Sequence, residues 1–507
     1  MRKQLRLLAI IGAVVVLLGA ALGVLVLTQP EQPEESSAPE SSDTSIELLT
    51  VKRADKDDTY SLITEAVVTY DGETYTLQTN DDGQLYVKGY EALPIETYSL
   101  SSFESAVTSI SAIQEITGTG NDADYGLDKP VATADITYYD GTKATLTLGA
   151  AAPQNAGYYF RLSGKDGIYL VDSTAAGRLM QPSVSYIGTT LMTAPVVKEE
   201  DKNAAAVLRD VSLKGPGLDR EYSYRIIADD DGDTYFSTYV LTYPYKRGTN
   251  SNKLDDSILY ATSLGANMAV KPFPTDEDLK KYGLDAPSIT ATIHTAVKNE
   301  VTVESSEEDG EDQTVTEYYN VQEHTFRLSA VTDGYFYALV DDIDCIYQIS
   351  TLSLPWATLS YEDCVTPLLF LKNISTVSAM SFTYEGKTTQ IALTHYPDEE
   401  DSDKSMIATV DGKAVKTSNI RAFYQVLLGI NRAGAAPEEP TGDAEILFTY
   451  TDLDTNETTE IEIFKHSASV YIGRFDGGDI FKIRASEIDT LLKQYQNLVD
   501  GKDVLLG

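Results

Sequence analysis

Tyr125-Gly126-Leu127-Asp128-Lys129-Pro130 and Tyr282-Gly283-Leu284-Asp285-Ala286-Pro287 are one motif written twice, 157 residues apart. Thr69-Tyr70-Asp71-Gly72-Glu73-Thr74 returns as Thr383-Tyr384-Glu385-Gly386-Lys387-Thr388 at an offset of 314, twice that period. A period this long means whole tandem domains rather than the short units of a solenoid. The body therefore reads as three copies of one unit, over residues 46–200, 201–366 and 367–507, the third divergent and without the Tyr-Gly-Leu-Asp element.

The motif itself has a physical reading. Thr275 can cap a short helix over Asp276 to Lys281, and Gly283 suits the left-handed residue just past a helix end. Tyr282 and Leu284 can clamp either side of that glycine, and Pro287 forces Ala286 into an extended conformation that starts the next strand. Strands then follow over Ala132 to Thr137, Ala144 to Leu148, Tyr158 to Leu162 and Gly167 to Val171, with a helix beginning at Asp172-Ser173-Thr174. The second copy parallels this with Tyr335 to Leu339, Cys345 to Ile349 and Ser350-Thr351. The third keeps strands at Glu445 to Tyr450, Glu460 to Phe464, Ser469 to Phe475 and Asp479 to Ile483, and ends on an amphipathic helix capped by Ser486.

Upstream of the motif, each copy opens with a hairpin pattern such as Ala66 to Leu77, in which Asp71-Gly72 lies between β-formers. A helix closes this half: Ser101 or Ser102 capping Phe103 to Ile113, Asp255 to Leu264 in the second copy, and Ser418 capping Ile420 to Ile430 in the third. Runs of strands closed by helices predict an α+β fold of mainly antiparallel sheet with covering helices.

Leu7 to Leu27 contains only Leu, Ile, Val, Ala and Gly and spans roughly 30 Å as a helix, the thickness of a bilayer core. Arg2, Lys3 and Arg6 precede it and Glu31, Glu34, Glu35 and Glu40 follow, so residues 1–6 are expected in the cytoplasm and the body outside the cell membrane. A cleaved signal peptide is the alternative, but the apolar run is long for one and no clear small-x-small site precedes Gln29 and Pro30. No Cys lies nearby to take a lipid. Gly19 and Gly23 form a small-xxx-small pair of the kind that is common in membrane helices without dimerising them. Thr28 to Ser45 is a Pro, Glu and Ser tract that cannot bury enough surface to fold, and it reads as a disordered stalk.

With 78 acidic against 39 basic side chains the formal charge is -39, which repels phosphate backbones and excludes nucleic acid as a partner. Cys345 and Cys364 could close a disulfide loop, but two buried thiols are expected. His294, His324, His395 and His466 stand singly among strands, without the i, i+4 partner of a helical metal site. No Gly-x-Ser-x-Gly elbow, Ser-x-x-Lys, phosphate-binding loop or Cys-x-x-Cys pair is present. No catalytic residue, cofactor-binding residue or metal ligand is assigned, no cofactor is implied, and an enzyme is not expected. Asp229-Asp230-Asp231-Gly232-Asp233 starts like a calcium loop, yet Val240 stands at the twelfth position, and an acidic hairpin turn fits better. Glu304 to Asp312 and Asp398 to Asp403 read as solvated loops. Tyrosine is favoured, 33 against 13 Phe and one Trp, which suits half-exposed strands and could also serve stacking on sugars, and Trp356 reads as a core anchor.

The Tyr-Gly-Leu-Asp-x-Pro element, the hairpin after it, the strand at Gly157-Tyr158-Tyr159 and the Ile168-Tyr169 and Ile346-Tyr347 strands leading into Asp172 and Ser350 together resemble the bacterial domain-of-unknown-function family 4340. The resemblance covers residues 60 to 360 well and the third copy more loosely. It implies an extracytoplasmic, membrane-anchored accessory protein of the kind encoded beside gliding-motility-type ABC transporters, with no catalytic residue to carry over. A non-enzymatic domain array serving as accessory or scaffold to an ABC-type transporter permease or another envelope complex is therefore expected. The alternative is an extracellular binding module for cell-wall glycan or a divalent cation.

Overall fold

The computed structural model describes residues 45–52, 60–117, 120–228, 231, 237–254, 256–303, 313–397, 399 and 404–505. The apolar segment 7–27, the tract 28–44, the loops 304–312 and 400–403, Asp398, and all of the acidic turn 229–233 except Asp231 lie outside these. Among the described residues no helix is long and apolar enough to cross a membrane.

Three antiparallel sheets share one strand order. In the first, Leu85–Val87, Glu73–Thr79 and Ile63–Tyr70 form one meander, and Ala132–Tyr138, Lys143–Ala151, Tyr158–Leu162 and Tyr169–Val171 form a second. The first strand of each meander pairs with the other at the sheet centre, with Val68 opposite Ala134. The third sheet repeats this with Val377–Tyr384 against Ile446–Asp452, Phe382 opposite Phe448. In the second sheet the central pair is Ala205–Lys214 with Ile289–Val303. The first and second sheets each gain one further edge strand, Gln114–Glu115 and Met268–Pro272.

Local chemistry repeats with the topology. Asp71 (φ 49°) and Gly72 (φ 78°) take the two left-handed positions of a tight hairpin, and Glu385 (φ 52°) and Gly386 (φ 72°) do the same in the third unit. Across each hairpin a threonine pair is hydrogen-bonded, Thr69 with Thr74 at 3.0 Å and Thr383 with Thr388 at 2.9 Å. Gly126 (φ 69°) and Gly283 (φ 68°) both occupy the left-handed position that the motif requires. Thr275 and Asp278 form a capping box at the helix Asp276–Lys281. Tyr282 packs on Tyr337 with ring centroids 4.7 Å apart, and Leu284 is buried with Leu339 and Ile346.

Between the two meanders sits a helix. In the first unit it runs Thr97–Thr108, six residues ahead of the expected start, because the Glu96 side chain caps the Tyr98 amide. Ser101 and Ser105 instead bond back to the carbonyls of Thr97 and Ser101. Ser109–Ala112 leaves the helix to pair with Ile46–Thr50, where a continued helix was expected. The second-unit helix is cut to Asp256–Leu259. In the third unit the helices run Thr417–Leu428 and Ala485–Val499, and neither Ser418 nor Ser486 caps; both lie inside the first turn. Ile488, Leu491, Tyr495 and Leu498 are buried on one face as the pattern predicts.

The two junctions between units differ in chemistry. Leu93, Ile187, Leu191 and Met192 of the first segment belong to the same apolar core as Val207, Leu241, Phe326 and Trp356 of the second. A short ribbon, Thr190–Met192 with Leu264–Gly265, crosses that boundary, and Tyr347 donates to the Gly188 carbonyl. The first unit otherwise keeps a core of its own, as the third does, and the third meets the second through charges.

Candidate functional site, a charged junction and its cleft

Arg247–Gly248 is the edge strand of the second sheet, and the connection 366–369 is stitched to both neighbours by backbone bonds. The Thr366 amide donates to Gly248, the Leu369 amide to Ile430, and the Arg432 amide to Pro367. This brings Arg247 against the last strand of the third sheet, Asp479–Arg484.

Asp479 is fully buried at the centre of the contact. Arg432 donates from Nη1 to its Oδ2 at 2.6 Å and from Nη2 to both oxygens of Glu362 at 3.0 and 3.2 Å. Arg247 Nε lies 3.9 Å from the Asp479 carboxylate, and Arg220 Nη1 also lies at 3.9 Å. Arg247 Nη2 donates to the carbonyls of Leu368 and Leu369. The guanidiniums rest on rings: Arg247 is 4.0 Å from the Phe475 centroid, Arg432 4.6 Å from that of Phe481, and Arg220 4.9 Å from that of Tyr361. Burial pulls the Arg247 pKa down, against the Asp479 carboxylate that raises it.

Three cations share two carboxylates here, in a chain that is otherwise strongly acidic. Four buried polar atoms of the cluster, Arg247 Nη1, Arg432 Nε, Tyr361 Oη and Asp479 Oδ1, have no hydrogen-bond partner. Such groups are costly to leave unmatched, so their concentration at one junction marks it as chemically distinct from the apolar cores.

A cleft of about 680 Å³ opens beside the cluster, between the second and third units. Its buried wall includes Asp231, Arg247, Thr249, Phe370 and Tyr450. Two of its cations are already held. Lys246 and Arg225 bond Asp231 at 2.9 and 2.7 Å, and despite its burial these partners hold the Asp231 carboxyl down at about 2. Lys372 pairs closely with Asp452, and that hydrogen bond lowers the Asp452 carboxyl to about 2.

The other residues singled out by sequence are held in structural bonds. Asp231, the described member of the calcium-like turn, also accepts from the Ala228 amide at 2.8 Å. Among the described residues no group of three or more His, Cys, Asp or Glu is placed to hold a metal ion. His294 lies between Asp210 at 2.6 Å and Glu323 at 3.0 Å. Burial lowers its pKa, but the bonds to Asp210 and then Glu323 win and raise it. His324 bonds Asp341, His395 contacts the Val377 carbonyl, and His466 pairs with Glu438. Cys345 and Cys364 are buried free thiols, pushed up by burial to about 11 and about 12.

The tyrosine excess goes largely into cores. Tyr138, Tyr222 and Tyr239 are buried and donate to backbone carbonyls of Val107, Leu359 and Leu208. Trp356 is buried edge-on to Phe326, 5.3 Å between centroids. What sequence reading missed is the set Arg220, Arg247, Glu362, Arg432 and Asp479. Nothing local distinguishes these residues, because each is polar for the sake of a partner in another segment.

The family model described as domain of unknown function DUF4340 matches this chain twice, over residues 86–287 and 240–445, in keeping with tandem repetition. No curated protein and no solved structure matches it.

Proposed function

With the chain belonging to the DUF4340 family, we propose that it is a membrane-anchored, extracytoplasmic, non-enzymatic domain array that serves as an accessory or scaffold component of an ABC-type transporter or another cell-envelope complex. The single observation that carries this reading is the way the units are joined. Apolar residues of the first unit pack into the core of the second and the third unit is tied on by a buried ion cluster, so the repeats act as a connected framework rather than beads on a flexible string. The apolar segment 7–27 with its basic flank would hold that framework at the membrane, body outward. The engagement of the histidines, cysteines and most core tyrosines in packing and hydrogen bonds favours a scaffold over a catalyst. Crosslinking in intact cells with the tagged full-length chain, followed by mass spectrometry, tests it. Enrichment of a transporter permease or envelope protein is expected, and recovery of no membrane or envelope partner would sink the proposal.

A further inference from the structure

The cleft between the second and third units has the size of a small-molecule site, at about 680 Å³ against the roughly 300–1,000 Å³ usual for such sites. It also lies at a domain interface, where ligand sites concentrate. Three features define what it could take. Arg247, a lining residue, has a side chain only 3% exposed, and its Nη1 is buried without a partner. The other two cations of the lining, Lys246 and Lys372, are already paired with Asp231 and Asp452. Glu457 and Asp476 stand exposed among the lining residues and have no ion-pair partner among the described residues.

A guanidinium with donors to spare recognises a carboxylate. A plain or multiply charged anion would be repelled by the two unpaired carboxylates and by a chain of net charge -39. A ligand that brings its own cation avoids that penalty. We propose that this cleft binds a small zwitterion, an amino acid or short peptide, with its carboxylate toward Arg247 and its ammonium toward Glu457 and Asp476. Phe475 carries the Arg247 guanidinium over its ring at 4.0 Å. Because Arg247 also contacts the Asp479 cluster, a bound carboxylate would bear directly on the contact that holds the third unit to the second.

This inference is independent of the accessory reading, since that one concerns protein partners and this one a ligand. The test is calorimetric titration of the detergent-solubilised full chain with L-alanyl-L-alanine, with its N-acetyl form, which lacks the ammonium, and with its C-terminal amide, which lacks the carboxylate. Saturable binding of the free dipeptide is expected, weakened at least tenfold by either block. Arg247→Gln is expected to abolish it. Should that variant fail to fold, the surface double variant Glu457→Gln/Asp476→Asn still decides. It should weaken the free dipeptide several-fold while strengthening the N-acetyl form, a plain anion that no longer meets the two carboxylates. Absence of saturable binding to the native chain, equal binding of the blocked forms, or unchanged affinity in the double variant would each overturn the proposal.

Discussion

Replacing Asp479 by Asn isolates what the buried cluster contributes. The substitution keeps volume and one hydrogen-bonding oxygen but removes the charge that faces Arg432 at 2.6 Å and Arg247 and Arg220 at 3.9 Å. Removing one partner of a buried ion pair typically costs ~3–5 kcal/mol, because the remaining charge stays buried and uncompensated. Arg432 retains Glu362, which is partly exposed, so the lower end, about 3 kcal/mol, is expected. For a unit of this size that corresponds to a fall in its unfolding midpoint of roughly 10 °C. The partner substitution Arg432→Met closes a double-mutant cycle. The two changes should be less costly together than their sum, with a coupling energy of at least ~1.5 kcal/mol, since the double variant has one fewer unmatched charge. The assay is urea unfolding of the full chain followed by far-UV circular dichroism, with limited proteolysis reporting release of the third unit. A loss below ~0.5 kcal/mol, or strict additivity, would refute the view that this cluster holds the junction.

Four further outcomes are expected. Gly126→Ala should destabilise more than Gly283→Ala: both positions have positive φ, costing ~1–2 kcal/mol for a residue with a Cβ, but a Cβ on Gly126 would also lie 2.8 Å from the Ala150 nitrogen, whereas one on Gly283 meets nothing closer than 3.7 Å. Paired urea melts compare the two. His294, whose pKa is raised in the fold, stabilises most fully below its unfolded value near 6.5 and loses that contribution as pH rises through the folded value. His294→Asn should therefore cost stability at pH 6 and little at pH 9, and NMR titration of the ring should show a midpoint above 6.5. Trp356→Ala should cost ~3–5 kcal/mol through the cavity it leaves in the second core, and the native Trp emission should be blue-shifted until that core unfolds. Cys345 and Cys364 should resist a thiol reagent in the native chain at pH 8 and react together on denaturation, read by absorbance.

Much of each unit could be read directly from the chain. The Asp-Gly hairpin at residues 71 and 72, the strands Tyr158–Leu162 and Cys345–Ser350, and the capped helix Asp276–Lys281 are specified by side chains within a few positions of the backbone they control. Helix starts were harder. Ser101, Ser418 and Ser486 carry the right chemistry for a cap, yet a serine hydroxyl is equally satisfied by a carbonyl one turn back, as Ser101 is. The end of the helix Thr97–Thr108 was also not local, because Ser109–Ala112 turns to strand only through pairing with Ile46–Thr50, some sixty residues away.

The candidate site lay wholly beyond that reach. Sequence alone determined the repeat, the antiparallel meanders, the glycines of the turns and the apolar stretch near the N-terminus, because periodicity and turn chemistry act over a few residues. Tertiary structure decided that apolar residues of the first unit would pack into the core of the second while the third is joined through Arg247, Arg432, Glu362 and Asp479, and that a cleft would open beside them. A buried charge is tolerable only where its partner arrives from another segment, and that arrival is set by how whole sheets pack, which no short stretch of sequence records.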